Sequence, residues 1–287
     1  MKRKITNIIL VLGLIIGICL LLYPSVADYV NTYQLRKSIQ AYEEVTQNMT
    51  EDQYAEQFEA AHAFNEKLSG IDEVLYHPDL IDGYEQVLDT TGTGIMGYIS
   101  IERIGENLPI YHSVEENVLQ IAVGHLPGTS LPVGGEGTHC VLSGHRGLPS
   151  AKLFTNLDKM ELGDVFYITV LNQVFAYQVD QIKVVLPTQS DDLQLIPGED
   201  HVTLLTCTPY GVNSHRLLVR GIRVEYVASK GPIYVANEAY QYDPIVVMPV
   251  VAAPLLLLLF LWWIGISHRR MRLREIYRKG MKRDEAQ

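Results

Sequence analysis

Cysteine is scarce in this sequence, and its few positions exclude several classes of protein. Three cysteines occur in 287 residues, at positions 19, 140 and 207. That number does not support the disulfide framework of a small secreted domain. Neither Cys-x-x-Cys nor His-Glu-x-x-His is present, so no metal site and no cofactor is expected. The adjacent carboxylates Asp191 and Asp192 are interpreted as part of a solvated loop rather than as a cation site.

Positive charge is also scarce, except at the two ends of the chain. The net charge is −10, yet residues 2–4 are all basic, and residues 268–287 contain eight Lys or Arg against three Asp or Glu. The stretch between them is therefore strongly acidic. Because an acidic domain repels a phosphate backbone, no nucleic-acid partner is expected.

Two long runs contain no charged residue at all. Ile5–Leu22 is eighteen residues long, and Pro244–Ile266 is twenty-three residues long and ends near two tryptophans. The second run predicts a transmembrane helix. The first predicts either an uncleaved membrane anchor or a signal segment cleaved after Ala27. Basic residues outside both runs place both termini in the cytoplasm and residues from about Asp28 to Asp243 outside the cell.

The region that follows the first apolar run is polar, with apolar residues at helical spacing. Residues 28–69 predict two helices separated near residues 48–52, with Thr50 as the N-cap of the second. Residues 70–94 resemble a loop.

From Met96 onward the pattern is that of β-structure. One short helix is predicted at Ala151–Met160, and a shift of the apolar phase predicts a β-bulge at Gly221. Seven or eight strands with few helices indicate a closed barrel or a sandwich. The segments with strand propensity are 97–101, 109–111, 139–143, 165–171, 174–185, 201–206 and 217–226.

Cys207 is the candidate nucleophile. It ends one β-rich run, and Arg216 begins the next, so a hairpin places the two opposite each other across an eight-residue loop. Positive charge lowers a thiol pKa and so favours the reactive thiolate. His145, in a glycine-rich turn after another β-rich run, is the best-placed acid or base. Any one of these residues alone is more often structural, so the inference depends on their combination.

The sequence around these three residues resembles that of a known family. Residues 124–132 (GHLPGTSLP), 144–149 (GHRGLP) and 205–210 (LTCTPY) are similar, in this order, to the class C sortases, which polymerise pilins. The resemblance covers roughly residues 94–226. It implies a mainly β fold: a closed eight-stranded sortase barrel with N-terminal helices and flanking transmembrane helices.

The resemblance also implies the activity of a membrane-bound cysteine transpeptidase on a Gram-positive cell surface. Cys207 would attack an LPXTG-like sorting signal of a pilin, Arg216 would stabilise the oxyanion, and His145 would protonate the leaving amine. A lysine of the next pilin would then resolve the thioacyl enzyme as an isopeptide bond, assembling a pilus. Two alternatives remain open: a housekeeping sortase that anchors proteins to peptidoglycan, and a non-enzymatic membrane-tethered β-domain.

Class C sortases carry a lid with an Asp-Pro-aromatic motif over the active site, and this sequence departs from that motif. The corresponding positions are His77, Pro78 and Asp79, and Tyr84 is a candidate for the aromatic residue. These four residues are the predicted lid.

The sequence divides into six predicted regions. They are the anchor or signal segment (1–27), a helical region with the lid-like loop (28–93), the catalytic barrel (94–228), a linker (229–243), a transmembrane helix (244–267) and a basic cytoplasmic tail (268–287).

Overall fold

A computed structural model describes residues 2–71, 75, 82–227, 252–258, 260–263, 265, 266 and 269. By contacts, the chain from Ala27 through the last strand of the barrel belongs to one compact unit, and the segment before Ala27 belongs to another. The first of these units contains Cys207, His145 and Arg216.

Two helices precede the barrel, as the sequence predicted. Helix α1 spans Lys2–Gln47 and helix α2 spans Glu51–Ser69. Thr50 is the N-cap of α2, and its side chain and that of Gln53 each accept a hydrogen bond from the other's backbone N–H. This capping box satisfies two N–H groups that the first helical turn leaves free, which fixes the break between the helices.

One helix among the described residues is long and apolar enough to cross a membrane. It is the α1 segment Ile9–Gln47, whose most apolar window has a mean hydropathy of 2.6. The second predicted span, residues 244–266, lies largely outside the described residues; its described parts, 252–258, 260–263 and 265–266, are helical.

The β-structure is a closed barrel of eight strands, which confirms the predicted fold. The strands follow one another around the barrel in the order β1-β2-β3-β4-β7-β8-β6-β5. Pairs β2–β3 and β4–β7 are parallel and the other pairs are antiparallel. The strands are β1 Ile95–Ile101, β2 Glu106–Tyr111, β3 Val123–His125, β4 Thr138–Ser143, β5 Val165–Val170, β6 Gln173–Val185, β7 Asp200–Thr208 and β8 His215–Val224.

The helices are held to the barrel by buried polar contacts as well as by apolar packing. The Tyr42 hydroxyl of α1 donates to the Met96 carbonyl at 3.0 Å and accepts from the Leu171 N–H at 2.8 Å. In α2, the Asn65 side chain accepts from the Leu131 N–H at 2.7 Å and donates to the Leu131 carbonyl at 3.3 Å. These bonds satisfy backbone groups that the strands leave unpaired.

The predicted helix Ala151–Met160 is wrong. The segment is a series of turns with one 3₁₀ turn at Leu157–Lys159. Several of its N–H groups bond three residues back, as in isolated turns, rather than four residues back as in an α-helix, and the Phe154 N–H donates to the His145 carbonyl at 3.2 Å. Leu153 has a φ of 42°, which is also incompatible with a right-handed helix.

The β-bulge predicted at Gly221 of β8 is present in the β6–β8 pair, but it lies on β6. The register between β6 and β8 shifts between Val179 and Gln181, so the extra residue is Asp180 on β6. Gly221 itself is regularly paired with β7. A Cβ on Gly221 would lie 2.7 Å from the Phe166 ring, so the glycine is needed for close packing inside the barrel.

Two short elements have no counterpart in the predicted list: strand β3, and helix α3 at Glu116–Leu119. Strand β3 completes the barrel between β2 and β4.

Candidate active site

The C-terminal end of β7 carries Cys207, and strand β8 brings Arg216 to it. In the antiparallel pair β7–β8, Cys207 lies directly opposite Arg216. This is the register that the predicted hairpin required. Directly opposed residues in an antiparallel pair have Cβ atoms about 4.5–5.5 Å apart, so a guanidinium on one side chain reaches the neighbourhood of the other.

Strand β4 lies on the other side of β7 and leads to His145. The last pair of this parallel ladder is Ser143 with Leu205, and His145 and Cys207 each follow two residues later. The alignment continues past the ladder, because the Gly144 N–H donates to the Leu205 carbonyl at 3.1 Å and the Thr206 hydroxyl donates to the Gly144 carbonyl at 2.7 Å. The backbone therefore places His145 and Arg216 on opposite sides of Cys207.

The three cysteines differ in exposure. Cys140 is buried, as the sequence predicted, and burial raises the pKa of its thiol well above the ordinary value. It therefore remains protonated and unreactive. Cys207 is partly exposed. Cys19 lies in the apolar part of α1. Of the two cysteines in the barrel, only Cys207 is both accessible and beside a cation.

Gly144 permits the close approach that aims His145. A Cβ at this position would lie 2.7 and 2.9 Å from two atoms of the Phe154 ring, and Phe154 is fully buried. Gly147, with a φ of 81°, is similarly close to Tyr210 in the β7–β8 loop. Gly144 thus lets Phe154 of the same loop pack against it, and Gly147 lets the loops after β4 and β7 pack against each other.

The loop after β4 is also tied to α1. Asp28 accepts a hydrogen bond from the Lys152 N–H at 3.0 Å, and its carboxylate lies 3.9 Å from the Lys152 ammonium. Glu106, at the start of β2, lies near both groups. Burial raises the pKa of Glu106 to about 8, and the nearby Asp28 carboxylate acts in the same direction.

The arginines near the site have different partners. Arg146 bonds to the Thr208 hydroxyl at 3.2 Å and to the Asp158 carboxylate at 2.5 Å. Arg220 pairs with Asp180 through two hydrogen bonds. In the described part of the chain, Arg216 bonds only to backbone carbonyls, those of residues 213 and 215, at 3.3 and 3.2 Å. Among the described residues no carboxylate lies within ion-pair distance of Arg216, so its guanidinium can receive an anionic group.

A groove of about 210 Å³ lies beside Arg216, between β7, β8 and the segment that follows β6. It is lined mainly by apolar side chains, with a few polar groups at residues 189, 190 and 216. A surface of this kind fits an extended peptide with small apolar side chains, whose carbonyl the guanidinium can bind. The apolar lining residues are Leu75, Leu126, Val185, Pro187, Leu193, Leu205 and Leu218.

Tyr84 is the one predicted lid residue that the structure describes; His77, Pro78 and Asp79 lie outside the described residues. The Tyr84 hydroxyl lies 2.9 Å from His125 Nδ1 and accepts from the Ser113 N–H at 3.1 Å. Burial raises the pKa of Tyr84 well above its ordinary value. The lid role of these four residues stays a prediction.

His125 is a buried histidine whose two ring nitrogens both bond to neighbouring protein groups, as is typical of a structural residue. Its Nε2 lies 2.9 Å from the Ser130 carbonyl, which can only accept, so this nitrogen carries the proton and Nδ1 accepts from Tyr84. Burial lowers the pKa of His125 to about 4, and burial likewise lowers that of His139 to about 4. Both rings are therefore neutral at pH 7.

Glu116 approaches His145, and nothing in the sequence pattern pointed to it. Its Oε2 lies 3.6 Å from His145 Nε2. A glutamate 29 positions away, in a four-residue helix, carries no motif or periodicity that links it to the histidine.

The pair Asp191–Asp192 lies in a 3₁₀ turn. Asp192 accepts hydrogen bonds from Lys183 and, at 3.4 Å, from Gln181. An ammonium therefore already neutralises this carboxylate. No group of three or more His, Cys, Asp or Glu side chains in the described part of the chain is arranged to hold a metal ion.

The closed barrel and the accessible Cys207 opposite Arg216 are features of a β-barrel cysteine enzyme. Comparison with known proteins identifies the family. A family model described as a sortase domain matches residues 99–224. The chain is 49% identical in sequence to sortase C1 from Streptococcus agalactiae, and its structure matches the crystal structure of that protein with a TM-score of 0.62. The match covers 67% of this chain and 98% of that one. It is 44% identical to sortase C of Streptococcus pneumoniae, with a TM-score of 0.61, covering 67% of this chain and 98% of that one.

A curated relative, sortase A of Bacillus anthracis, is 27% identical over 80% of this chain and 99% of its own length. The chain belongs to the sortase family of cysteine transpeptidases, and the solved relatives described above are class C enzymes.

Proposed function

We propose that this protein polymerises pilins, with Cys207 as nucleophile, His145 as acid and base, and Arg216 as oxyanion ligand. The observation that carries the proposal is the strand register around Cys207. That register sets Arg216 directly opposite it and brings the loop with His145 to its other side. The similarity to sortase C of Streptococcus pneumoniae, whose structure is described in terms of pilin substrate specificity, supports pilins as the substrate class.

The first half-reaction cleaves a sorting signal of the LPXTG type. The Cys207 thiolate attacks the carbonyl carbon of the scissile peptide bond, and the electron pair of the C=O moves to oxygen. Arg216 donates N–H bonds to that oxyanion. As the tetrahedral intermediate collapses, the C–N bond breaks and His145 donates its proton to the departing amine. A thioester between the pilin and Cys207 remains.

The second half-reaction forms the link between subunits. A lysine amine of the next pilin attacks the thioester carbonyl, and neutral His145 accepts a proton from that amine. The C–S bond breaks, the isopeptide bond forms, and Cys207 returns as a thiolate beside protonated His145. The cycle therefore needs no external acid, base, metal or cofactor.

The apolar groove beside Arg216 is the proposed binding site of the sorting signal. The leucine and proline of such a signal match the apolar lining, and Arg216, which has no carboxylate partner among the described residues, is one of the lining residues and can bind a substrate carbonyl.

The proposed location is the outer face of a Gram-positive cell membrane. In this proposal α1 is the N-terminal anchor, residues 94–228 form the catalytic barrel, residues 244–267 form the second membrane helix, and both termini lie in the cytoplasm. The acidic middle of the chain and the basic residues at both ends support that orientation. Protease added to intact protoplasts should degrade the barrel and spare a tag placed after Gln287, whereas a tag digested without lysis contradicts the orientation.

The activity is tested with the full chain in detergent and a purified pilin that carries both a sorting signal and an acceptor lysine. The expected result is a ladder of covalent multimers on a denaturing gel. The control is the same pilin with the acceptor lysine changed to arginine, which should give no ladder. If the enzyme instead couples the pilin only to a peptidoglycan amine, the protein is an anchoring sortase and the polymerisation proposal fails.

A further inference from the structure

Glu116, which contacts His145, is a charged residue that has no role in the reaction steps proposed above. Glu116 Oε2 lies 3.6 Å from His145 Nε2, which is the distance of an ion pair rather than of a hydrogen bond. His145 Nε2 is inaccessible to solvent and has no hydrogen-bond partner in the described part of the chain. The only negative charge within ion-pair distance of that nitrogen among the described residues is therefore the Glu116 carboxylate.

The position of Glu116 is fixed by the fold. Its second oxygen, Oε1, accepts a hydrogen bond from the Gln120 side-chain amide, one turn further along. Leu119 of the same short helix lies beside Gly124 on β3, where an added Cβ would come within 3.3 Å of its Cδ2 atom. Gly124 is paired with Ser143 on β4, two residues before His145. The carboxylate and the imidazole are thus attached to adjacent strands of the barrel.

The other charged groups around His145 act against its protonated form or are already neutralised. Arg216, across Cys207, is a cation that disfavours a second positive charge nearby. Arg146, the next residue in the chain, is paired with Asp158. The Cys207 thiolate favours the imidazolium, but it is consumed when the thioester forms. Glu116 is the carboxylate that remains beside His145 throughout the cycle.

We infer that Glu116 is a positioning residue that keeps His145 protonated on Nε2 and leaves Nδ1 to face the substrate. A carboxylate next to an imidazole stabilises the imidazolium, which is the form that must deliver a proton to the leaving amine. Glu116 itself touches neither the thiol nor the scissile bond. This inference rests on the proposed function for the role of His145, but not for the contact itself.

The contact is tested by measuring the His145 pKa directly. The nine histidines of the full chain in detergent are labelled with ¹³C and titrated by NMR, in a Cys207→Ala background so that the thiol does not contribute. The His145 resonance is assigned by its loss in His145→Gln. Because the side chain of Glu116 is 72% exposed, solvent screening limits the effect. Glu116→Gln should move the His145 titration to lower pH, because the carboxylate that stabilises the imidazolium is removed.

The matched control is Glu115→Gln, which removes the same charge from an exposed neighbouring side chain. It should lower the pKa by clearly less than Glu116→Gln does, and Glu116→Asp should retain part of the wild-type value. An unchanged His145 pKa in Glu116→Gln, or an equal shift in Glu115→Gln, would overturn the inference.

Activity provides the second readout, in the enzyme with Cys207 intact. The alkaline limb of the pH profile of kcat/KM should move to lower pH in Glu116→Gln by the amount that the NMR titration shows, with a loss of rate above that limb. If the pKa falls but the alkaline limb stays in place, the contact stands and His145 is not the catalytic acid. The failure of the inference and the failure of the proposed function are therefore distinguishable.

Discussion

Replacing Gly144 by alanine tests whether close packing behind His145 sets the position of the proposed catalytic residues. The added Cβ would lie 2.7 and 2.9 Å from atoms of the Phe154 ring, well inside van der Waals contact. Phe154 is fully buried, so its ring cannot move into solvent. Overpacking of this kind destabilises by about 1–3 kcal/mol. For a domain of this size that corresponds to a Tm lowered by roughly 2–10 °C.

Activity should fall further than stability explains. The two hydrogen bonds of Gly144 to β7 hold the segment that carries His145, so a shift that relieves the clash also moves the imidazole. A displacement of about 1 Å in an active site can lower a rate by about 100-fold. Transpeptidation should therefore drop by about 10- to 100-fold at a temperature where the variant is folded.

Thermal unfolding and the rate of pilin cleavage are measured on the same preparation. Gly70→Ala is the matched control, because its φ is −90° and its added Cβ meets only ordinary contact at 3.5 Å. A second variant, Gly144→Ala with Phe154→Leu, makes room for the methyl group and should recover part of the Tm and of the rate. Wild-type Tm and rate in Gly144→Ala alone would refute the reasoning.

Two further predictions concern the cation and the pH dependence of folding. Arg216→Lys should reduce pilin cleavage nearly as much as Arg216→Ala, since an ammonium lacks the planar fork of donors. Arg220→Ala should remain active. An inactive Arg220→Ala with an active Arg216→Ala would contradict the assignment of Arg216. Lowered pKa values of about 4 for His125 and His139 mean that the folded state binds fewer protons than the unfolded state between about pH 4 and 6.5. The contribution of each histidine to stability should therefore be full above pH 6.5 and fall on acidification, by at most about 1.4 kcal/mol per pH unit. Glu106, whose pKa is raised to about 8, acts in the opposite direction between about pH 4.5 and 8. Because two histidines titrate against one carboxyl, stability should still fall on acidification from about pH 6.5 to 4.5. Tm values at pH 7, 5.5 and 4.5 measure it, and a flat Tm would contradict it.

The features that the sequence predicted correctly are those with a local signature. The break between α1 and α2 has a capping residue at Thr50, and the hairpin of β7 and β8 has two β-rich runs around a turn-rich loop. These signals lie within a few residues of the structure that they specify, so no tertiary information is needed.

The features that the sequence did not reveal depend on distant contacts. Strand β3 has three residues, too few for an alternating pattern, and only the ladders on both sides define it. The segment Ala151–Met160 has helical composition, but the bond from the Phe154 N–H to the distant His145 carbonyl and a series of short turns replace the helical ladder. The Glu116 contact arises from the pairing of β3 with β4 and leaves no periodicity in the sequence.

The central claim is that Cys207 carries the acyl intermediate, and intact-mass spectrometry tests it most directly. The full chain is incubated with a pilin that has a sorting signal but no acceptor lysine. The wild type should gain the mass of the cleaved pilin as a hydroxylamine-sensitive thioester that maps to Cys207. Cys207→Ala should gain nothing while keeping the wild-type Tm, because alanine removes the sulfur without opening a large cavity. An adduct on Cys207→Ala, or one that maps to Cys140, would contradict the account.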